Sequence, residues 1–338
     1  MRVGVLGATG YAGLELLRLA SAHDDLEIVL ATGDTNAGKS VAEHAPALAR
    51  VYPDLTFQPT DAVFGAELDV VFLALPHGAS QNYVPDLVTK GVQVVDLGAD
   101  FRLKDPAHYV QWYHDEHSAP SLLARSIYGL VERHRDELRG AALIAVPGCY
   151  PTAGALALGP FLDAQVVENQ GVIIDALSGV SGAGRVPSER LHYPRLAGNA
   201  EAYGLLEHRH TIEMQQELGA QLLFTPHLVP ASRGELITAY ARVTESSFDT
   251  GGALELLRRR YAHDPFVVVV DEPPTMKDPL GSNLCFVSAR VDARTGWLVA
   301  MSSLDNLIKG AAGQAIQAWN VATGRAETMG LPLSGVTP

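Results

Sequence analysis

The order in which apolar and amphipathic segments alternate constrains this chain more than anything else about it. Its first half sets short, uninterrupted apolar runs at residues 3–6, 28–31, 70–75, 92–97 and 143–146 between stretches long enough to be helices. Strands that show no polar alternation are buried on both faces, which requires a parallel sheet with helices above and below it. The pattern predicts an α/β fold, a Rossmann-like doubly wound sheet of the nucleotide-binding kind. From about residue 172 the texture changes to longer strand-like segments at 172–176, 222–226, 236–243, 266–270, 285–291 and 297–301. Close spacing and turn sequences such as Asp292-Ala293-Arg294-Thr295-Gly296 predict antiparallel pairing and a second, α+β domain with a mostly antiparallel sheet. A last helical period, with Leu307, Ile308, Ala311, Ala312, Ala315, Ile316 and Trp319 on one face, predicts a helix over 305–320. The expected division is a cofactor domain over 1–147, completed by about 304–338, and a catalytic, oligomer-building domain over 148–303.

Composition narrows the function classes. A chain of 338 residues with 47% hydrophobic content can bury two cores, while a formal net charge of −13 disfavours a nucleic-acid partner. The one tight basic cluster, Arg258-Arg259-Arg260, falls in an expected helix over 253–262 and reads as a solvated face. An anionic substrate must then be held by a few arginines inside a pocket. Two cysteines, Cys149 and Cys285, cannot form a disulfide framework and fit a reducing compartment. No apolar run is long enough for a membrane span, and the first strand begins too early for a signal peptide, so a cytoplasmic protein with no membrane partner is expected.

Two local sequences carry chemistry. Gly7-Ala8-Thr9-Gly10-Tyr11-Ala12-Gly13 follows the first strand and opens an apolar helix. Glycines there allow a tight turn and close backbone approach, and the helix start offers unpaired N–H groups to a pyrophosphate. The spacing is GxxGxxG, a partial match to the usual dinucleotide fingerprint. After the second strand, Thr32-Gly33-Asp34-Thr35-Asn36-Ala37-Gly38-Lys39 leaves the ribose end open: Asp34 suits the 2′-hydroxyl of NAD, whereas the hydroxyl and amide groups with Lys39 suit a 2′-phosphate. Further on, Pro147-Gly148-Cys149-Tyr150-Pro151-Thr152 sets a cysteine between an apolar strand and an alanine-leucine helix reaching about residue 162. A thiol at a helix N-terminus is favoured as thiolate, the form a nucleophilic cysteine needs. Cys285, inside an apolar strand, reads as a core residue. His208 and His210 are both candidates for a group that holds and returns a proton near neutral pH. Two residues apart, they do not share a helix face, and no metal site is expected.

These motifs, with Leu97-Gly98-Ala99-Asp100-Phe101-Arg102, Ser178-Gly179-Val180-Ser181-Gly182-Ala183-Gly184-Arg185, His208-Arg209-His210-Thr211-Ile212-Glu213, Pro230-Ala231-Ser232-Arg233-Gly234 and Asp305-Asn306-Leu307-Ile308-Lys309-Gly310, resemble those of the N-acetyl-gamma-glutamyl-phosphate reductases, in order and over nearly the whole chain. That family is similar to the aspartate-semialdehyde dehydrogenases. The resemblance implies NADP as cofactor, an acyl phosphate as substrate, a thioester on Cys149, His208 as acid/base that donates a proton as the thiohemiacetal collapses, and a homo-oligomer, dimer or tetramer. It further implies cofactor contacts from Gly7, Thr9, Gly10, Tyr11, Ala12, Gly13, Thr32, Thr35, Asn36, Lys39, Pro76, Ser181, Gly182 and Asn306. Substrate contacts would come from Arg102, as phosphate holder, and from Ser178, Arg185, Tyr203, His210, Glu213 and Arg233. A reductase of carrier-linked aminoadipyl or glutamyl phosphate is disfavoured because Tyr150-Pro151 follows Cys149 where those enzymes carry Asn-Ala. A non-catalytic NADPH-binding scaffold would need no thiol, base and arginines together, and a cysteine hydrolase would need no glycine loop.

Overall fold

The structure, a computed structural model, describes residues 1–336, and the chain divides into two compact units. The first comprises Met1–Pro147 together with Ala311–Leu331, and the second comprises Gly148–Gly310 with the tail from Pro332. The chain returns to the first unit at Ala311 and leaves it after Leu331, where the sequence suggested one return from about 304 onward. Positions 337 and 338 of that expected segment lie outside the described residues.

The first unit is built on β1 (Arg2–Leu6), α1 (Tyr11–Ala20), β2 (Glu27–Thr32), α2 (Val41–His44), β3 (Phe57–Gln58), β4 (Val70–Leu73), α3 (Val84–Thr89), β5 (Gln93–Asp96), α4 (Ala107–Tyr113), β6 (Ile127–Tyr128), α5 (Val131–Leu138) and β7 (Leu143–Ala145). All seven strands run parallel in the order β3-β2-β1-β4-β5-β7-β6. Chain order reverses between β1 and β4, the switch point beside which doubly wound sheets bind their ligands. Residues 70–73 are wholly buried, as a strand covered on both faces must be. The two-residue strands β3 and β6, at the sheet's edges, are too short to carry an apolar period and have no sequence signature.

The second unit carries α6 (Cys149–Asp163), β8 (Val172–Gly179), α7 (Tyr193–Leu196), β9 (Glu201–Ala202), α8 (His210–Leu218), β10 (Leu222–Val229), β11 (Glu235–Arg242), α9 (Thr250–Arg260), β12 (Val267–Val269), β13 (Cys285–Asp292) and β14 (Trp297–Leu304). Its seven-stranded sheet has the order β12-β13-β14-β11-β8-β10-β9, with antiparallel pairs at the centre and parallel pairs only at β8/β10 and β12/β13. Burial alternates along β11, so one face carries Glu235, Ile237, Ala239 and Ala241 into the interior. Helix α6 lies on this sheet and is buried along nearly its whole length. Apolar on every side, it shows little amphipathic bias, as expected for a helix surrounded by protein. Pro160 in its last turns has no N–H for the Leu156 carbonyl, and Tyr261 Oη donates to that oxygen at 2.6 Å instead.

The chain returns to the first unit through a π-helical turn, Ile308–Ala312, into α10 (Gly313–Ala322). The helix expected over 305–320 therefore begins later. Asp305 and Asn306 are engaged by the second unit: Asp305 accepts from Gly281 N–H and Asn306 from Gly234 N–H. α10 is buried throughout and packs on α5, α1 and β5. Its polar residues all find partners there: Trp319 Nε1 donates to Gln93, Gln314 to the Gly129 carbonyl, Gln317 to Glu132, and Asn320 meets His23 at 2.9 Å. No helix among the described residues is long and apolar enough to cross a membrane.

Replacing Tyr261 with Phe tests the repair of the Pro160 break. The Leu156 carbonyl would remain buried without a donor, a loss of about 1–3 kcal/mol. Urea unfolding should show a lower midpoint at unchanged slope; a midpoint equal to wild type would mean that another donor serves Leu156.

Candidate active site

Cys149 is the first residue of α6, with Gly148 at the cap. The cap is held from two sides. Glu213, fully buried on α8, accepts from Gly148 N–H at 2.9 Å, and the His210 ring packs so closely on Gly148 that a Cβ there would lie 2.4 Å from Nε2. A second glycine closes on the thiol-bearing residue itself: a Cβ on Gly310 would come within 2.7 Å of Cys149 Cβ. Thr152 donates both its N–H and its Oγ1–H to the Gly148 carbonyl. Cys149 is partly exposed while Cys285 is buried, and neither forms a disulfide. The N–H groups of Cys149 and Tyr150 lie in the leading turn of the helix, beside the thiol.

His208 stands in a cage of rings from Tyr150, Tyr203, His210 and Phe224, with centroids 4.8–5.7 Å apart. Its Nδ1 accepts from His210 N–H at 3.2 Å, which leaves the proton of the neutral ring on Nε2. Burial, seconded by the charge of Arg209, pushes His208 down to about 4, so the ring is neutral at pH 7. Tyr203 Oη meets Tyr150 Oη at 2.9 Å, and the Arg190 guanidinium lies over the Tyr203 ring. Desolvation raises both phenols above their ordinary range and keeps them protonated.

The remaining expected substrate and cofactor residues of this unit form a neighbouring group. Ser178 is the penultimate residue of β8, and its Oγ would be 3.0 Å from a Cβ on Gly182. Ser181 Oγ accepts from Asn306 Nδ2 at 3.0 Å. Arg233 is ion-paired at 3.3 Å with buried Asp305, and Arg185 lies exposed in the loop that follows the turn at 180–183. Glu235, absent from the sequence reading, is fully buried with its carboxyl directed at the thiol of Cys149. Only its strand pairing reveals it, since a glutamate opening an apolar strand looks like a solvated end.

In the first unit, Gly7 turns with φ +75°, and a Cβ there would lie 2.4 Å from the Ala74 carbonyl oxygen. Gly13 approaches the Gly7 carbonyl as closely, whereas at Gly10, the cap of α1, a Cβ would meet that oxygen at an ordinary 3.5 Å. The first turn of α1, Tyr11 to Gly13 onward, has no side-chain cap and no acidic residue, so its positive end is available to a phosphate. Thr9 packs its side chain on Gly33, and Thr32, buried at the end of β2, accepts from Gly7 N–H. Thr35, Asn36 and Lys39 are hydrogen-bonded to one another in sequence, Lys39 Nζ to Asn36 at 3.3 Å and Asn36 Nδ2 to Thr35 at 3.2 Å. Asp34 is exposed, with its Oδ1 accepting from Thr60 N–H at 2.7 Å. The glycine cradle therefore fits a pyrophosphate, and the exposed amide, hydroxyl and ammonium fit an anion at the ribose.

Pro76 lies in the loop after β4 that brings His77 to 2.7 Å from Asp100. Burial alone would raise Asp100, but His77 and the Gly78 N–H hold its carboxyl below the ordinary value. Asp96, also buried and beside that charge, is pushed up to about 7. Arg102 is buried here and donates from Nη2 to the Leu97 carbonyl. The motif Leu97 to Arg102 thus folds into one compact, charge-balanced turn.

Residues 2–141 match the semialdehyde dehydrogenase NAD binding domain, and residues 149–306 match the semialdehyde dehydrogenase dimerisation domain. Relatives named N-acetyl-gamma-glutamyl-phosphate reductase include one from Symbiobacterium thermophilum, 44% identical over 99% of this chain and 98% of its own length, and one from Heliobacterium modesticaldum, 43% identical over the whole of both. Among solved structures, aspartate semialdehyde dehydrogenase II from Vibrio cholerae superimposes with a TM-score of 0.72 at 18% identity, covering 95% of this chain and 97% of that one. The Candida albicans aspartate semialdehyde dehydrogenase with NADP gives 0.69 at 17%, over 95% and 97%. At such identities the structures bear on the fold alone.

The depressed basicity of His208 has a consequence for stability. Between about pH 6.5 and about 4 the unfolded chain takes up a proton that the folded ring refuses, so this residue's contribution falls as pH falls through that window. His208→Asn keeps an acceptor for the His210 N–H and removes the titration. The stability of wild type relative to the variant, from urea midpoints, should be lower at pH 4.5 than at pH 7; parallel curves would contradict a buried, neutral His208.

Proposed function

The chain belongs to the N-acetyl-gamma-glutamyl-phosphate reductase family, and from that we propose that it reduces N-acetyl-L-glutamyl 5-phosphate to N-acetyl-L-glutamate 5-semialdehyde, releasing phosphate, in arginine biosynthesis. The observation that carries the reading is a partly exposed thiol on the leading turn of a buried helix, with a neutral histidine cage beside its cap. A scaffold would have no use for that arrangement.

Cys149 Sγ attacks the acyl carbon, the S–C bond forms, and the C–O bond to phosphate breaks with its electron pair leaving on the phosphate. The N–H groups at the start of α6 stabilise the oxygen that gains charge, typically about 2.7–4 kcal/mol per donor. Bound NADPH supplies the hydride that reduces the resulting thioester carbonyl. An arriving anionic substrate counteracts the desolvation that keeps His208 neutral, since nearby negative charge favours the protonated ring. His208, having taken a proton from solvent as the substrate binds, then gives it to the oxygen of the reduced carbon and takes it back as the semialdehyde forms. His210 and Glu213 act through the cap they hold, and Tyr203 and Tyr150 keep water from the thioester. Arg102 is the proposed phosphate holder, with Ser178, Arg185 and Arg233 as further substrate contacts.

NADP, and not only a nicotinamide dinucleotide, is proposed. The pyrophosphate would rest on Gly7, Thr9, Gly10, Tyr11, Ala12 and Gly13, with Thr32, Pro76, Ser181, Gly182 and Asn306 as further contacts. Asp34 already has one oxygen engaged by Thr60, while Thr35, Asn36 and Lys39 form an exposed donor group suited to a 2′-phosphate. A homodimer or homotetramer in a reducing cytoplasm completes the reading.

In the reverse direction, phosphate-dependent reduction of NADP should occur with N-acetylglutamate semialdehyde and be at least tenfold slower with aspartate semialdehyde; equal rates would overturn the substrate. Brief iodoacetamide treatment at neutral pH should label Cys149 before Cys285 and abolish turnover. Cys149→Ser should still bind NADPH while losing activity. Labelling of Cys285 as activity falls, or wild-type turnover by Cys149→Ser, would remove the covalent route.

A further inference from the structure

The interior face of β11 holds one residue that packing does not explain. Along it, Ile237, Ala239 and Ala241 are fully buried and apolar, and α6 covers them: Ile237 Cδ1 lies 3.7 Å from the Cβ position of Gly154 on α6. Glu235 continues the same face toward the start of that helix. It pairs across the sheet with Ser178 on one side and Leu304 on the other. Leu304 Cδ1 and Cys149 Cβ converge on one point, 3.2 and 2.7 Å from the Cβ position of Gly310. Register and alternation therefore bring the Glu235 carboxyl under the thiol, and the Cys149 side chain is within hydrogen-bonding reach of it. Among the described residues no N–H or O–H reaches either carboxyl oxygen, and the residue is 0% exposed. A carboxyl in such a place is a lasting cost to the fold unless it serves the group it faces.

We propose that Glu235 is a second catalytic proton holder: its carboxylate takes the Cys149 Sγ–H proton before sulfur attacks, and the acid returns it to sulfur as the aldehyde leaves. The inference rests on Cys149 as the attacking thiol. Once the pair has lost the first of its two protons, one proton and one negative charge remain shared, as thiol with carboxylate or thiolate with acid. On attack the sulfur pair forms the S–C bond and the charge departs with phosphate, which takes its proton from solvent. After reduction, the hydroxyl proton of the thiohemiacetal goes to His208, the C–S bond breaks with its pair on sulfur, and Glu235 protonates that sulfur. The resting state is restored with no further reagent.

The surroundings favour such sharing. Desolvation pushes Glu235 up to about 8, opposed by its contact with Cys149, which brings it close to an ordinary thiol near ~8.5. Two groups of matched basicity exchange a proton at little cost. The other ionisable groups around the pair are Tyr150 and Tyr203, both kept protonated, His208 and His210 in the ring cage, and Glu213 on the Gly148 N–H. Arg190 lies over Tyr203, Arg233 is paired with Asp305, and Lys309 is buried on the turn before Gly310, its Nζ over the Phe266 ring.

The test is a thiolate titration by ultraviolet absorbance on the full chain without cofactor or substrate, with Cys149→Ser as the blank. Wild type should develop Cys149 thiolate in two steps separated by about one pH unit or more, as two coupled groups do. Glu235→Gln should show one step. Its kcat should fall by roughly 10²-fold or more, with KM little changed. A single step in wild type overturns the assignment whether or not the variant folds, and so does an unchanged kcat in a folded variant. If Cys149→Ser itself turns over, the attacking-thiol reading fails instead, a result the titration does not mimic.

Discussion

Everything chemical in the second unit depends on how the first turn of α6 is anchored. A helix start leaves backbone N–H groups without intrahelical partners, and burying one unfilled is costly. Here the cap N–H is filled by a buried carboxylate, Glu213, so the N–H groups of the next residues remain for a substrate oxygen. The absence of a Cβ at Gly148 lets His210 lie against the backbone, and the absence of one at Gly310 lets the chain close over Cys149. These contacts fix the thiol on a rigid, buried helix, which suits a group whose reaction tolerates little displacement.

The charges of the molecule are arranged against its overall sign. A chain with a formal charge of −13 repels an acyl phosphate at long range, so recognition falls to a few local groups. Around the thiol, desolvation moves the ionisable groups toward their neutral forms: His208 loses basicity and Glu235 retains a proton further into the alkaline range. In the proposed reaction an arriving anion would meet a neutral imidazole and protonated phenols, and its own charge would favour the protonated form of His208.

The first unit solves a different problem with the same economy of residues. A parallel sheet must be covered on both faces, and α10, arriving from far along the chain, completes the cover with glutamine, asparagine and tryptophan side chains that each find a hydrogen-bond partner inside. The glycine loop offers a pyrophosphate its backbone, through close approach of the chain and an uncapped helix start.

Much of this was legible in the residues. Strand period and the uninterrupted apolar runs point to a parallel sheet in the first half and a mostly antiparallel one in the second, because periodicity is a local property of the chain; the parallel pairs β8/β10 and β12/β13 were set by the tertiary structure. The glycine loop and the cysteine at a helix start are legible for the same reason, and the order of motifs carries the family. Edge strands such as β3, too short for a period, escaped, as did the late start of α10, which is set by hydrogen bonds from Asp305 and Asn306 to residues distant in sequence. Which groups gather at the thiol was likewise a tertiary decision. Glu235 lies 86 positions from Cys149 and meets it only through the register of β11 against β8 and β14 beneath α6. Local sequence specifies conformation and which face a residue shows; proximity between distant segments, and the desolvation that shifts His208 and Glu235, exist only once the sheet has assembled and excluded water.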